Sequence, residues 1–302
     1  MSLANGVAVN GVTGSLAIQG KDGSGTLRYI PVAQVTPTIT RGDSVIPLVN
    51  NAAFACNLVK GSAAAEIQID TYLFAGLMNA DFFNAGFASG GGDTGASGYN
   101  VVTLRSNNES GEGAQTYAKS KFAGMSGSVR FSNDGSAQAC RLGMRLMSVD
   151  PLSGSITALA APSAGALSTT GILGFAQAAF SNASEVTAVE WNIDTGLQVV
   201  PGVVAGSNSE YPSLPKGVML TELMGTVKIT QIANPTTRLG SSGSGGTFTL
   251  SLGTTGAGIA LSFAVIPMAD SKPTTIGIGY IQSTYALKSV DGVTPSFSAV
   301  DL

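Results

Sequence analysis

The side chains that could do chemistry are few. None of the 302 residues is histidine, which excludes Ser-His-Asp and Cys-His nucleophile systems and any histidine-ligated metal site. General acid–base catalysis needs two carboxyl groups brought together. The candidate pairs are Glu109 with Glu112 and Asp291 with Asp301, and both lie in Gly-rich or terminal segments, where solvated loop acids are the plainer reading. GSSGSGG at 240–246 lacks the Lys-Ser or Lys-Thr of a phosphate-cradling loop and runs into a strand-like stretch where such a loop needs a helix. Cys56 and Cys140 have neither CxxC nor metal-ligand spacing and read as small buried apolar residues. Arg41-Gly42-Asp43 spells an adhesion tripeptide, but three residues at a strand exit are not specific. The reading is a protein that is not an enzyme and takes no cofactor or metal.

Composition directs attention to the surface. Charged residues make up 11% of the chain, against about 25% in an average soluble domain. Glycine reaches 40 residues. So little charge removes the repulsion that keeps like molecules apart, and fits a subunit covered largely by copies of itself. The net charge is −3 with scattered Lys and Arg, so no basic footprint for tight nucleic-acid binding is visible. The start, MSLANGVAVNGVTGS, lacks the pattern of a signal peptide, and no stretch approaches the roughly eighteen apolar residues of a membrane span. Synthesis and folding in the cytoplasm, without a membrane span, are expected.

The positioning elements are predicted to be strands. Alternating runs stand at 27–40, 65–70, 99–106, 116–124, 126–132 and 139–149, and again at 186–193, 218–223, 225–232, 247–252, 259–266, 275–281 and 285–290. One helix is expected after Thr71 as N-cap, with Leu73, Leu77, Phe82 and Phe83 on one side. Residues 151–184, rich in Ala, Ser, Gly and Pro, read as a crossing with room for one short helix; 197–217 reads as irregular. The organisation is an N-terminal arm (1–26), a first β domain (27–150), the crossing (151–184) and a second β domain (185–302).

Landmarks recur between the two halves in the same order, which predicts one fold present twice. VTPTITRG at 35–42 matches 189–196, and 61–69 matches 225–232. The strand at 101–105 matches 262–266, and Tyr117-Ala118 with Gly124 matches Tyr285-Ala286 with Gly292. Trp191, the single tryptophan, falls where Pro37 stands in the first half.

VAQVTPTITRGD, GSAAAEIQID, YLFAGLMNADFF, the stretch VTLRSNNESGEGAQTYAKSKFAGMSGSVRFSND and the closing YALKSVDGVTPSFSAVDL resemble, in layout, the major tail proteins that form the tail tube of long-tailed bacteriophages. The resemblance covers most of 27–150 and, more thinly, 185–302. It implies an all-β to α+β fold, an antiparallel β-sandwich or half-barrel of the tail-tube type with a short helix, here in two tandem copies. It further implies rings stacked into a hollow tube in the virion tail, assembled in the host cytoplasm. Two copies per chain favour a trimeric ring over a hexameric one. The implied partners are other copies of the chain, the tape-measure, tail-tip and terminator proteins at the tube ends, and double-stranded DNA passing transiently through the lumen. Asp43, Glu66, Asp70, Asp194 and Glu222 are the candidate channel-lining residues, since carboxylates repel phosphates. Arg41 and Lys228 are candidates for subunit contacts. The alternative is a virion surface protein that decorates the capsid or binds a receptor.

Overall fold

Period-two alternation is the signal that the fold follows. The structure, a computed structural model, describes residues 14–19, 28–30, 32–50, 53–59, 61–74, 78, 80–87, 99–105, 115–130, 138–153, 175–179, 186–200, 202, 204–205, 213–232, 246–254, 256–268, 274–275, 280–289 and 295–302. The first half contains β1 (Gly14–Gln19), β2 (Arg28–Ile30), β3 (Val32–Arg41), β4 (Ser44–Asn50), β5 (Ala53–Val59), β6 (Ala63–Tyr72), α1 (Ala80–Phe87), β7 (Tyr99–Arg105), β8 (Gln115–Arg130), β9 (Arg141–Ser148) and β10 (Asp150–Ser153). The second contains β11 (Phe175–Ala179), β12 (Val186–Asp194), β13 (Gln198–Val200), β14 (Val204–Ala205), β15 (Ser213–Leu214), β16 (Gly217–Met219), β17 (Met224–Ile232), β18 (Gly246–Thr254), β19 (Ala257–Pro267), β20 (Thr274–Thr275), β21 (Tyr280–Leu287) and β22 (Phe297–Asp301).

The fold is mostly antiparallel β, and sixteen of the strands belong to one sheet. Strand β8 holds it together. Its first part pairs with β7 and β10, and its second with β9 on one side and β12 on the other. The change of partners coincides with a bulge between Phe122 and Gly124. There the Ala123 carbonyl accepts from the Thr195 amide and hydroxyl, both at 3.1 Å, and from Arg145 Nη2 at 3.3 Å. Two separate strands, at 116–124 and 126–132, were expected; the bulge at Ala123 takes up the irregularity without a turn, and the strand continues through Gly124 and Met125.

The pairing order is the same on both sides of β8. In the first half it runs β3-β6-β9-β8-β7-β1, with β10 also on β8; in the second it runs β12-β17-β21-β19-β18-β11, with β22 also on β19. Correspondences 35–42 with 189–196 and 61–69 with 225–232 agree with this order, because β3·β6 and β12·β17 are its first pairs. The later two are one strand out of step: by position in the sheet β7 corresponds to β18, not β19, and β8 to β19, not β21. Short matches such as Tyr-Ala carry no pairing information, so neighbouring strands of similar composition are easily exchanged.

Both halves share one core. Ile67, Ile69, Phe122, Met144, Leu146, Val189 and Trp191 join Phe248, Leu261, Phe263 and Tyr285 in a single buried cluster. Each such side chain contributes about 1.5–3 kcal/mol relative to exposure. The helix starts later than expected. The β6 ladder continues through Thr71 and Tyr72, opposite Leu142 and Arg141, so Thr71 is a strand residue and not an N-cap. α1 begins at Ala80, whose amide donates to Asp301 Oδ1 at 2.8 Å from the far end of the chain. Its Phe82, Phe83 and Phe87 pack on Phe122 and Phe297. Within the expected crossing, 175–179 is strand β11, not helix, and within the expected arm, 14–19 is β1 on β7. Residues 1–13 and Leu77 lie outside the described residues.

Candidate functional site

The sheet buries one face and leaves the other open. Along β6 the burial alternates strictly, with Ile67 and Ile69 inside while Gln68 and Asp70 face out. The same phase on neighbouring strands lines up polar side chains in cross-strand rows. One row runs Gln34, Asp70, Gly143, Ser126, Asn192, Thr226. The next runs Tyr72, Arg141, Ser128, Glu190, Lys228, Thr284. These two rows border a hollow of ≈ 850 Å³. Glu190 and Lys228, both exposed, stand opposite each other in the ladder, where opposite charges are the compatible arrangement.

Of the five candidate channel residues, the fold brings three together: Glu66, Asp70 and Asp194 all project on this face, and so does Lys228. Glu66 accepts from Gln68 Nε2 at 3.2 Å. Asp194 is tied down, accepting from Arg145 Nη2 at 3.0 Å and from the Gly196 amide at 2.9 Å. The face was expected to be acidic. Instead Arg130, Arg141, Arg145 and Lys228 alternate with Glu66, Asp70, Glu190 and Asp194. The arginines were legible from the alternation of 139–149; their neighbours were not, because only strand pairing decides which residues share a row.

The other candidates sit at two kinks. Between β3 and β6 the chain extends as the hairpin β4·β5, and between β12 and β17 it extends as the ladders β13·β16 and β14·β15. Asp43 locks the first kink by accepting from the Gly61 amide at 3.0 Å and pairing with Arg41. A side chain at 61 would collide with the Gly42 carbonyl. Arg41, expected at a subunit contact, is therefore engaged within its own chain. At the second kink Gly196 has φ 59°, and Thr221 donates to its carbonyl at 2.6 Å while exposed Glu222 lies alongside. Asp43 and Glu222 thus belong to the bases of the two extensions rather than to the polar rows.

Among the described residues no group of three Cys, Asp or Glu side chains could hold a metal ion. Cys140 is buried, and burial pushes its thiol up to about 12, so it stays neutral and unreactive. No described helix is long and apolar enough to cross a membrane. No protein-family model matches the chain, and no curated protein matches it.

Proposed function

We propose that the chain is a structural, non-enzymatic subunit of the tail tube of a long-tailed bacteriophage. It assembles into rings, and the rings stack into a channel for genome delivery within the virion tail. The observation that carries this reading is the broad antiparallel sheet with one apolar face sunk in the core and one polar face left open in balanced rows of charge. Such a face, turned to a lumen, presents neither the basic surface that would hold DNA through counterion release nor an apolar surface that would bind protein. We infer further that the fold is of the sandwich or half-barrel type in two tandem copies. The recurrence of one pairing order in both halves supports this inference. Three chains would then supply six equivalent units to a ring. The ends of the tube meet other tail proteins, and double-stranded DNA is a transient occupant.

Negative-stain electron microscopy of the purified protein at rising concentration tests the reading. Rings or hollow tubes of constant diameter are expected. Discrete monomers at every concentration overturn it, and so do particles with no central channel.

A further inference from the structure

The two extensions are held in different ways. The first, β4·β5, is a ladder of seven pairs, and its catch is local, because Arg41, Asp43 and Gly61 all stand at its own base. The second is made of two ladders, β13·β16 with three pairs and β14·β15 with two, and neither belongs to the sixteen-stranded sheet. Its catch comes from elsewhere. Asp194, whose carboxylate accepts from the Gly196 amide at the entrance, is held at 3.0 Å by Arg145 of β9. We propose that these two ladders are a strap that opens and closes over the end of the first half while the main sheet stays intact, with the Asp194–Arg145 pair as its catch. The inference goes beyond the tail-tube reading and concerns the single chain, assembled or not.

Three observations carry it. First, the strap rests on the first half. Leu214 of β15 is buried with Ala63 at the start of β6, and Ile39 packs against them. Leu197 and Val218 are buried with Ala123 of the β8 bulge and with Val149 just beyond β9. Ala63, Ala123 and Val149 are 0%, 0% and 3% exposed, so this apolar shelf meets solvent only when its cover moves. Second, the contacts stand apart from the main core, to which Leu197, Leu214 and Val218 do not belong. Lifting the strap leaves Trp191, Phe263 and their neighbours packed. Ladders of two or three pairs over small satellite clusters lie at the low end of local stability. Third, the strap has a hinge. Gly196 has φ 59°, a conformation glycine adopts without cost, and it is gripped on both sides, by Asp194 on its amide and by Thr221 Oγ1 on its carbonyl at 2.6 Å.

Ionic strength sets how firmly the catch holds. The Arg145 and Asp194 side chains are 39% and 32% exposed, so salt screens their attraction and solvent limits it to the small contribution of a surface pair. A second tie runs from Arg145 Nη2 to the carbonyl of Ala123, the residue that Leu197 and Val218 cover. Loss of the guanidinium therefore loosens the hinge and the shelf beneath the strap together.

A thiol placed beneath the strap by Ala63→Cys reads the opening directly. When the native full chain is treated with iodoacetamide, a neutral reagent, peptide mapping should find position 63 alkylated while Cys140 is not. Adding Arg145→Gln should speed alkylation at 63 by about twofold to fivefold at low salt, and added salt should bring the chain with Arg145 up to the same rate. Alkylation at 63 no faster than at Cys140 overturns the proposal, and so does a rate indifferent to both salt and Arg145→Gln. Hydrogen exchange read by mass spectrometry supplies an arm that needs no thiol. With Arg145→Gln alone, peptides from 213–219 should exchange faster by the same factor while those from 225–232 keep the rate of the parent. Equal rates at 213–219 in variant and parent overturn the strap, and acceleration at 225–232 as well shows a general loss of stability in its place.

Discussion

Trp191 and Gly127 stand opposite each other where β12 meets β8, and the indole fills the space that a side chain at 127 would need. This contact locks the two halves of the chain across their shared ladder. Gly127→Ala should therefore destabilise by about 1–3 kcal/mol through overpacking, although replacing a strand glycine ordinarily helps. The chemical-denaturation midpoint checks it, and Trp191→Leu in the same background should recover part of the loss. A midpoint at or above that of the parent would show that the ring gives way freely.

Asn84 of α1 reaches the last strand with both ends of its amide. Nδ2 donates to the Ala299 carbonyl at 2.9 Å, and Oδ1 accepts from the Ala299 amide at 2.8 Å. Asn84→Ala leaves both backbone groups without that partner and should cost about 1–3 kcal/mol. Limited proteolysis at the C-terminus should accelerate in step; equal digestion rates would argue against the tie.

Asp194 separates two contributions. Asp194→Asn weakens the half-exposed pair with Arg145, which should cost no more than about 1 kcal/mol and fade with added salt. Asp194→Ala also strips the Gly196 amide of its acceptor and should cost about 1 kcal/mol more. Thermal melts at low and high salt distinguish the two; identical losses would show that the kink does not depend on the carboxylate.

Cys140 gives a pH dependence with a definite sign. Its folded value is about 12 against 9.0 for the unperturbed thiol. The contribution is therefore fully present below 9.0, and stability falls as pH rises from there toward 12, where only the unfolded thiol ionises. Cys140→Ala should flatten that limb of the melting curve. Peptide mapping of native protein treated with iodoacetamide at pH 8 should find Cys140 unlabelled until the chain is unfolded; rapid native labelling at Cys140 would contradict its buried placement.

Charge reversal belongs at Asp70, which lies on the open face, and not at Asp43, which holds a kink. On the tail-tube proposal, Asp70→Lys should permit tubes yet slow DNA release by adding a phosphate contact, while Asp43→Lys should loosen β4·β5, seen as faster exchange at 53–59. Particles carrying Asp70→Lys with unchanged infectivity would remove Asp70 from the lumen.

Alternation and residue type are local properties of the chain, and they sufficed for the β class, for the buried and open faces of strands such as β9 and β12, for a small buried Cys140 and for the absence of histidine chemistry. The folded structure was needed to show that 116–130 is one bulged strand, that Thr71 extends β6 while Asp301 caps the helix, and that arginines interleave with Glu66, Asp70 and Asp194. It alone also showed that β12 is paired on both edges while β3, among the described residues, is paired only with β6. Register and neighbourhood depend on hydrogen bonds between segments far apart in the chain, and no local pattern records which strand lies alongside which.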